Sequence, residues 1–172
     1  MNRFATLLAL VLFTLGCNDS VSENDPTFDF NVGQIVAFES IKSSFVTLEQ
    51  SDIGNDRFTE RENRLFTDQQ AFQAFWDDLH GNVEPKPALP QIDFESEVVL
   101  AALLGLRNSG GYAVSIERVV QQNDAVGVEV KEEIPGATCS TATVMSSPYH
   151  IIKLRRLSGE FIYVNDQQET TC

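Results

Sequence analysis

The sequence predicts a fold of the α+β class, or a mainly β fold, with an antiparallel sheet or sandwich and one packed amphipathic helix. Short apolar or alternating segments recur about every ten residues in the second half of the chain, a spacing typical of such sheets. Only residues 67–80 have the apolar spacing of a helix. We therefore expect a single globular domain over residues 28–172.

Composition narrows the class of partner. The chain has 172 residues, of which 25 are acidic and 12 basic, giving a formal net charge of −13. Binding to nucleic acid or to an anionic membrane surface needs a clustered basic face, so this balance disfavours both. The apolar share of 42% is sufficient for one ordinary core, and the chain is not disordered by composition.

The first residues have the pattern of a secretory signal. Arg3 precedes an uncharged apolar run over residues 4–15, which is shorter than the roughly 20 residues that span a bilayer. The run ends in TLGC at residues 14–17, which resembles a bacterial lipobox. We predict a signal peptide over residues 1–16 and acylation of Cys17, for example with palmitate. An ordinary cleaved signal peptide is the alternative.

Residues 17–27 then form the lipid anchor and a polar, acidic, flexible tether. The acyl chains would attach the protein to the membrane without a basic patch. Because Asn18 follows the cysteine where aspartate would favour the inner membrane, we expect the outer membrane of a bacterial cell envelope. The domain would face the periplasm or the cell surface.

Two further cysteines remain if Cys17 is acylated. Cys139 and Cys172 form an even pair in an oxidising compartment, which predicts a disulfide. Closing a loop of this length stabilises the fold by roughly 3–4 kcal/mol in the chain-entropy model. Two free thiols are the alternative.

The helix is the most clearly patterned element. Thr67 and Gln70 fit a capping box, and Gly81 fits a left-handed stop after the helix. The apolar residues at helical spacing are Phe72, Phe75, Trp76 and Leu79. We interpret this stripe as the face that packs on a sheet and not as a ligand platform. His80 is then a favourable charge at the end of the helix dipole.

The strands follow from apolar runs and turn residues. Residues 98–104 are an unbroken apolar run, typical of a strand buried on both faces. A turn over residues 122–124 predicts a hairpin. The remaining predicted strands are residues 35–41, 44–48, 112–116, 126–130, 141–145, 151–154 and 160–164. Residues 51–63 are a charged loop whose Asp52, Asn55 and Asp56 lack the spacing and glycine of a calcium loop.

No catalytic constellation is visible. Ser109 precedes two glycines, but a serine hydrolase also needs a base and an orienting acid, and only His80 and His150 could be the base. His150 has no second ligand at metal spacing. The sequence therefore predicts no catalytic residues, no metal, no cofactor and no enzyme activity.

Two segments resemble the PrcB C-terminal domain family. The first runs from the apolar strand at residues 98–100 through LRNSGGYAV at residues 106–114, and the second is SSPYHIIKL at residues 146–154. In that family an apolar strand leads to a Gly-Gly-Tyr turn, then a valine-rich hairpin, then a Pro-Tyr segment that opens a strand. The resemblance covers residues 92–156, and the cysteine pair is a departure from that family.

The resemblance implies a non-catalytic envelope protein that binds other proteins. The family's named member is a lipoprotein subunit of a surface protease complex, and it supports the assembly or stability of the protease. For this chain the resemblance implies a protein partner without identifying it, and an extracytoplasmic protease is one candidate.

A second similarity suggests an inhibitor. Chagasin-type inhibitors of cysteine proteases present a Thr-Gly-Tyr turn beside a loop with proline and an aromatic residue. The predicted recognition edge comprises Gly110, Gly111, Tyr112, Pro148 and Tyr149. Glycine lets a partner backbone approach closely, and a tyrosine fixed by proline is a rigid anchor. The alternative is that both tyrosines are core or strand-edge residues and the glycines only turn the chain.

Overall fold

The computed structural model describes residues 30, 45–122 and 124–172. The signal peptide, Cys17, the tether and the predicted strand at residues 35–41 lie outside the described residues. The described elements are β1 (Val46–Ser51), β2 (Glu62–Phe66), α1 (Gln69–Leu79), β3 (Glu97–Leu103), β4 (Ala113–Gln122), β5 (Ala125–Pro135), β6 (Tyr149–Arg155) and β7 (Glu160–Thr170). No helix in this part of the chain is long and apolar enough to cross a membrane.

The elements form three layers, with a four-stranded sheet in the middle. This middle sheet has the strand order β1-β6-β3-β2, and its neighbours are antiparallel. A three-stranded outer sheet, β4-β5-β7, shares one apolar core with one face of the middle sheet. Helix α1 shares a second core with the other face. The predicted α+β or mainly β class is confirmed.

The sequence of strand β3 is apolar without interruption because both faces of the strand are buried. Val98, Leu100 and Ala102 belong to the core between the two sheets. Val99 and Ala101 alternate with them and belong to the core under the helix. Both sets are at most 1% exposed, so each face of the strand must be apolar. The prediction of a doubly buried strand is confirmed.

Helix α1 packs by the predicted face but begins and ends differently. Its buried residues are Phe72, Phe75, Trp76 and Leu79. The N-cap is Asp68 and not Thr67, because the Asp68 carboxylate accepts a hydrogen bond from the Ala71 amide at 2.8 Å. The C-cap is His80. Gly81 is not among the described glycines with positive φ, so the predicted left-handed stop is wrong.

The outer sheet is mixed, where the sequence predicted antiparallel pairing throughout. Strands β4 and β5 form the predicted hairpin, with Gln122 opposite Ala125. The last strand, β7, pairs with β5 in parallel and without a register shift over all 11 of its residues. A parallel pair needs a crossover connection, and the chain between β5 and β7 supplies it by passing through β6 in the other sheet.

The structure differs from the sequence prediction at one predicted strand and at one predicted loop. Residues 141–145 alternate like a strand, but they form an irregular loop in which Val144 and Met145 are 57% and 60% exposed. Strand β2 was assigned in part to the charged loop, because Glu62 and Arg64 conceal its alternation. These two residues pair with each other on the exposed edge of the middle sheet, where charge is tolerated.

Two side chains of the middle sheet bond to the backbone of β4 and close one side of the sandwich. His150 Nδ1 accepts a hydrogen bond from the Ile116 amide at 2.8 Å, and Gln50 Nε2 donates to the Val114 carbonyl at 3.0 Å. His150 Nε2 lies 3.0 Å from Thr47 Oγ1. Because Nδ1 accepts a hydrogen bond, the neutral imidazole with its proton on Nε2 fits this position.

The opposite side of the sandwich, between β2 and β7, is joined by polar side chains. Asn63 Nδ2 donates to Asn165 Oδ1 at 3.1 Å, and Gln167 Nε2 donates to Glu132 Oε2 at 2.9 Å. Arg61 Nη1 lies 3.3 Å from Glu132 Oε1, and the glutamate side chain is only 1% exposed. The contacts of Asn63 and Arg61 link β2 and the residue before it to the outer sheet, whereas Gln167 bonds to Glu132 within that sheet.

Protonation of His150 should weaken the fold at acidic pH. Burial lowers the pKa of His150 below its usual 6.5, and the nearby Glu117 carboxylate opposes that shift. The unfolded chain therefore binds a proton that the folded chain excludes. The contribution of His150 to the free energy of unfolding is complete above pH 6.5. It is lost as the pH falls toward the folded pKa, at up to about 1.4 kcal/mol per pH unit.

NMR titration of the imidazole and urea unfolding between pH 5 and 8 test this directly. His150→Asn should be less stable at pH 8 and should show a shallower loss of stability toward pH 5. Glu117→Gln is the matched variant, because it removes the opposing charge and should lower the pKa of His150 further. An imidazole that titrates at or above its unfolded pKa would contradict the assignment.

Candidate protein-binding surface

The structure brings together the two segments that the sequence singled out at residues 106–112 and 146–149. Arg107 and Ser146 form an isolated antiparallel bridge, with backbone N···O distances of 2.8 and 3.0 Å. The Gly110 amide donates to the Ala142 carbonyl at 2.9 Å, and Ser146 Oγ donates to the Ser109 carbonyl at 2.7 Å. The glycine turn and the loop at residues 139–146 thus lie side by side.

Gly111 makes this close approach feasible. Its φ is +90°, a conformation that residues with a side chain rarely adopt. A Cβ at this position would lie 3.2 Å from Thr141 Cγ2 and 3.3 Å from Pro135 Cβ. Gly111 is therefore required by the backbone of the turn, and it remains exposed to solvent.

An exposed apolar patch lies on the adjoining loop. Val144 and Met145 are two of the six large hydrophobic residues that are exposed among the described residues. Ala142 is also exposed, and it lies within 4 Å of the position of a Cβ on Gly110. Isolated exposed apolar side chains are common, but contiguous ones are typical of interaction sites. We define the loop patch as Gly110, Gly111, Ala142, Val144 and Met145.

Tyr112 supports the turn from beneath. It is half-buried and packs against the core between the sheets. The Arg107 guanidinium lies 5.8 Å from its ring centroid, and it donates hydrogen bonds to the carbonyls of Leu104 and Leu106. These contacts hold Tyr112 in one place, at the border between the core and the surface.

The base of the loop is fixed by the cysteine pair. Cys139 and Cys172 are joined by a disulfide with their Cα atoms 5.2 Å apart. The Gly136 amide donates to the Thr170 carbonyl at 3.2 Å, so the backbone also ties the loop to the end of β7. The loop patch therefore projects from an anchored base.

Pro148 and Tyr149 do not belong to an exposed edge, which corrects that part of the sequence prediction. Both are buried, and Tyr149 is only 3% exposed. The Tyr149 hydroxyl donates to Glu49 Oε1 at 2.7 Å, and the Pro148 carbonyl accepts from the Leu104 amide at 2.9 Å. Burial and the bond to Glu49 raise the pKa of the Tyr149 hydroxyl. Tyr149 is a core residue, as the alternative interpretation of the sequence stated.

The two histidines are engaged in the fold. His80 is buried, with Nδ1 3.0 Å from the Trp76 carbonyl and Nε2 3.0 Å from Glu49 Oε2. His80 therefore links the helix to β1. The sequence predicted only a favourable charge at the end of the helix dipole and not this link. Both nitrogens of His150 face groups other than Ser109. Among the described residues, no group of three or more His, Cys, Asp or Glu side chains could hold a metal ion.

Val144 and Met145 are the candidate residues that sequence reasoning missed. The sequence analysis places them in a strand over residues 141–145. The informative signal was the composition of residues 136–147, where glycine, threonine and serine surround only two large apolar residues. Such a segment cannot bury a strand face, and its few apolar side chains are left for the surface.

One comparison with known proteins gives a match. The family model described as PrcB C-terminal matches residues 98–155, which confirms the resemblance seen in the sequence. No curated protein and no solved structure matches the chain. The matched region begins in β3 and ends with β6, and it contains the whole loop patch.

Loss of the disulfide should destabilise the fold and free the loop. Cys139→Ser is expected to lower the free energy of unfolding by about 3–4 kcal/mol, because the unfolded chain regains the entropy of the closed loop. Urea unfolding measures this, and Cys172→Ser should behave identically. In the unreduced Cys17→Ser variant, thiol titration under denaturing conditions should find no free thiol; two thiols would contradict the bond.

Proposed function

We propose that this chain, in which residues 98–155 match the PrcB C-terminal family, is a non-catalytic lipoprotein of the bacterial cell envelope that binds another protein. The partner class we propose is an extracytoplasmic protease, which the chain would help to assemble or stabilise. Cys17 would carry the acyl chains that hold it at the outer membrane.

The observation that carries this proposal is the loop patch. Two adjacent large apolar side chains are more than half exposed, and they lie on a segment held at its base by a disulfide. An anchored loop loses little conformational entropy when a partner binds, so more of its contact energy contributes to affinity. Methionine also adapts to the irregular pockets of a partner surface.

The exposed backbone of the turn adds a second kind of contact. Gly110 and Gly111 lack side chains that would keep a partner away, and Gly111 is exposed. A partner backbone could approach this turn closely while its side chains cover Val144 and Met145. An apolar centre beside accessible backbone is the usual composition of a protein interface.

A subunit role is favoured over the inhibitor role. The chagasin-like arrangement requires two loops, each with an aromatic anchor available to the protease. Pro148 and Tyr149 are buried, and their partners are Leu104 and Glu49 of the same fold. Only the loop patch, which includes the glycine turn, remains available. A single surface of this kind is better suited to attachment to a partner than to blocking a protease cleft from two sides.

Crosslinking in the native envelope, followed by affinity capture, tests the binding role. The double variant Val144→Asp with Met145→Asp should retain less than about a tenth of the captured partner, because charges would be desolvated at the centre of the interface. We expect the chief partner of the wild-type chain to be a protease, whose activity is raised or preserved in the complex.

The matched control is Ile53→Asp with Val83→Asp. These residues are 74% and 45% exposed, and they lie outside the loop patch. Their capture of the partner should equal that of the wild type. Equal capture by the loop variant would refute the loop patch as the binding surface, and a protease that is blocked in the complex would favour the inhibitor.

The lipid anchor is tested separately. Labelled palmitate should be incorporated into the wild-type chain and not into Cys17→Ser, and the variant should move from the membrane fraction to the soluble fraction. Single acyl chains bind membranes only marginally, so several chains on one cysteine should be needed for stable attachment. An unlabelled chain that is still secreted would identify an ordinary signal peptide.

A further inference from the structure

Within the described part of the chain, strand β7 pairs along one edge, with β5, and has no paired strand along the other. The Glu160 amide donates to the Asp124 carbonyl, and the Thr170 carbonyl accepts from the Gly136 amide, so both ends of β7 bond toward β5. Backbone groups alternate between the two edges of a strand, so all even-numbered residues of β7 face β5. The odd-numbered residues face away: Phe161, Tyr163, Asn165, Gln167 and Glu169.

Nothing in the described part of the chain bonds to the backbone groups of those five residues. An edge strand of 11 residues is long, and natural edges are normally protected by lysine, proline or a bulge. Strand β7 contains no lysine and no proline, and its pairing with β5 has no register shift. It therefore presents a continuous row of backbone groups to another strand, and its only charged side chains are acidic.

The described residues that precede β1 lie on the other side of the sandwich. The Arg118 guanidinium of β4 lies 4.6 Å from the ring centroid of Phe30. Phe45 directly precedes β1, the strand that Gln50 joins to β4. Strand β7 lies at the other edge of the outer sheet, beyond β5. These described residues leave the outer edge of β7 uncovered, and we therefore consider an occupant from another protein.

The charge of β7 specifies the chemistry of that occupant. The strand has three acidic residues, Glu160, Asp166 and Glu169, and no basic residue. A second copy of the chain is disfavoured, because two β7 strands that each carry three acidic residues and no basic residue would repel each other. A lysine-rich or arginine-rich extended segment would instead form opposite-charge pairs.

We propose that the free edge of β7 binds an extended basic segment of a partner protein as an added strand. Main-chain hydrogen bonds would supply the affinity, and the acidic side chains would supply the preference for basic residues. This inference rests on the proposed function in that the occupant is a protein, but it uses a surface separate from the loop patch.

Amide hydrogen exchange of the full mature chain, followed by NMR, tests whether the edge is free. The amides of Tyr163, Asn165 and Gln167 should exchange rapidly, and those of Ile162 and Val164 should be protected by β5. Slow exchange at all five positions would overturn the proposal, because the edge would then be covered by this chain itself or by a second copy.

Peptide titration tests the occupant. An alternating Lys-Val peptide should shift and protect the odd-numbered amides of β7, and a Glu-Val peptide of equal length should not. Asp166→Lys should weaken binding of the Lys-Val peptide by about threefold, the effect of one exposed charge pair. Glu95→Lys is the control, because it makes the same charge change at an exposed site beside the start of β3.

The results separate the two proposals. Equal shifts with both peptides, or shifts confined to residues outside β7, would overturn the edge site and leave the loop patch intact. Loss of partner capture by the Val144 and Met145 variant, with unchanged peptide binding to β7, would show two independent surfaces. Peptide binding that requires Val144 would assign the contact to the loop patch and overturn the edge site.

Discussion

The fold depends on one constraint, which is that the middle sheet is buried on both faces. Strands β3 and β6 lie at its centre, and their apolar residues alternate between the core shared with the outer sheet and the core shared with the helix. Two layers are therefore needed to cover one sheet, and each must bring an apolar face of its own. The stripe of α1 supplies one face and the valine-rich hairpin supplies the other. Neither β3 nor β6 could serve as the surface of a two-layer fold.

Polar groups next to a doubly buried sheet need hydrogen-bond partners within the protein. This requirement explains the sequence around Pro148. The Pro148 carbonyl pairs with Leu104, the Tyr149 hydroxyl bonds to Glu49, and His150 bonds to the amide of Ile116. These three consecutive residues therefore join β6 to the end of β3, to β1 and to the outer sheet. A buried hydrogen bond of this kind is costly to leave unmade, so such residues are as restricted as any in a binding site. All three residues lie within the region that the family model matches, and their contacts give them a role in the fold.

The sequence predicted those elements whose pattern is determined by burial. The apolar run of β3 and the stripe of α1 are visible because each residue there contacts a core. Strand β2 was missed because Glu62 and Arg64 pair at an open edge, where pairing to β3 and not apolarity determines the structure. The parallel direction of β7 could not be predicted, since direction depends on how the chain crosses between sheets. Tyr149 was placed in the site because an aromatic residue beside a proline looks the same whether it is an interface anchor or a buried hydroxyl with a carboxylate partner.

The family model matches some elements of this fold and leaves others out. The matched region runs from β3 to β6, so it includes the central strands, the hairpin, the glycine turn and the loop patch. It excludes β1, β2, α1 and β7, and it also excludes Cys172, which anchors the loop. The loop patch is exposed within the matched region. The disulfide, and the edge of β7 that no described strand pairs with, are features of this chain that the match does not imply. The loop patch therefore lies inside the matched region, and β7 lies outside it.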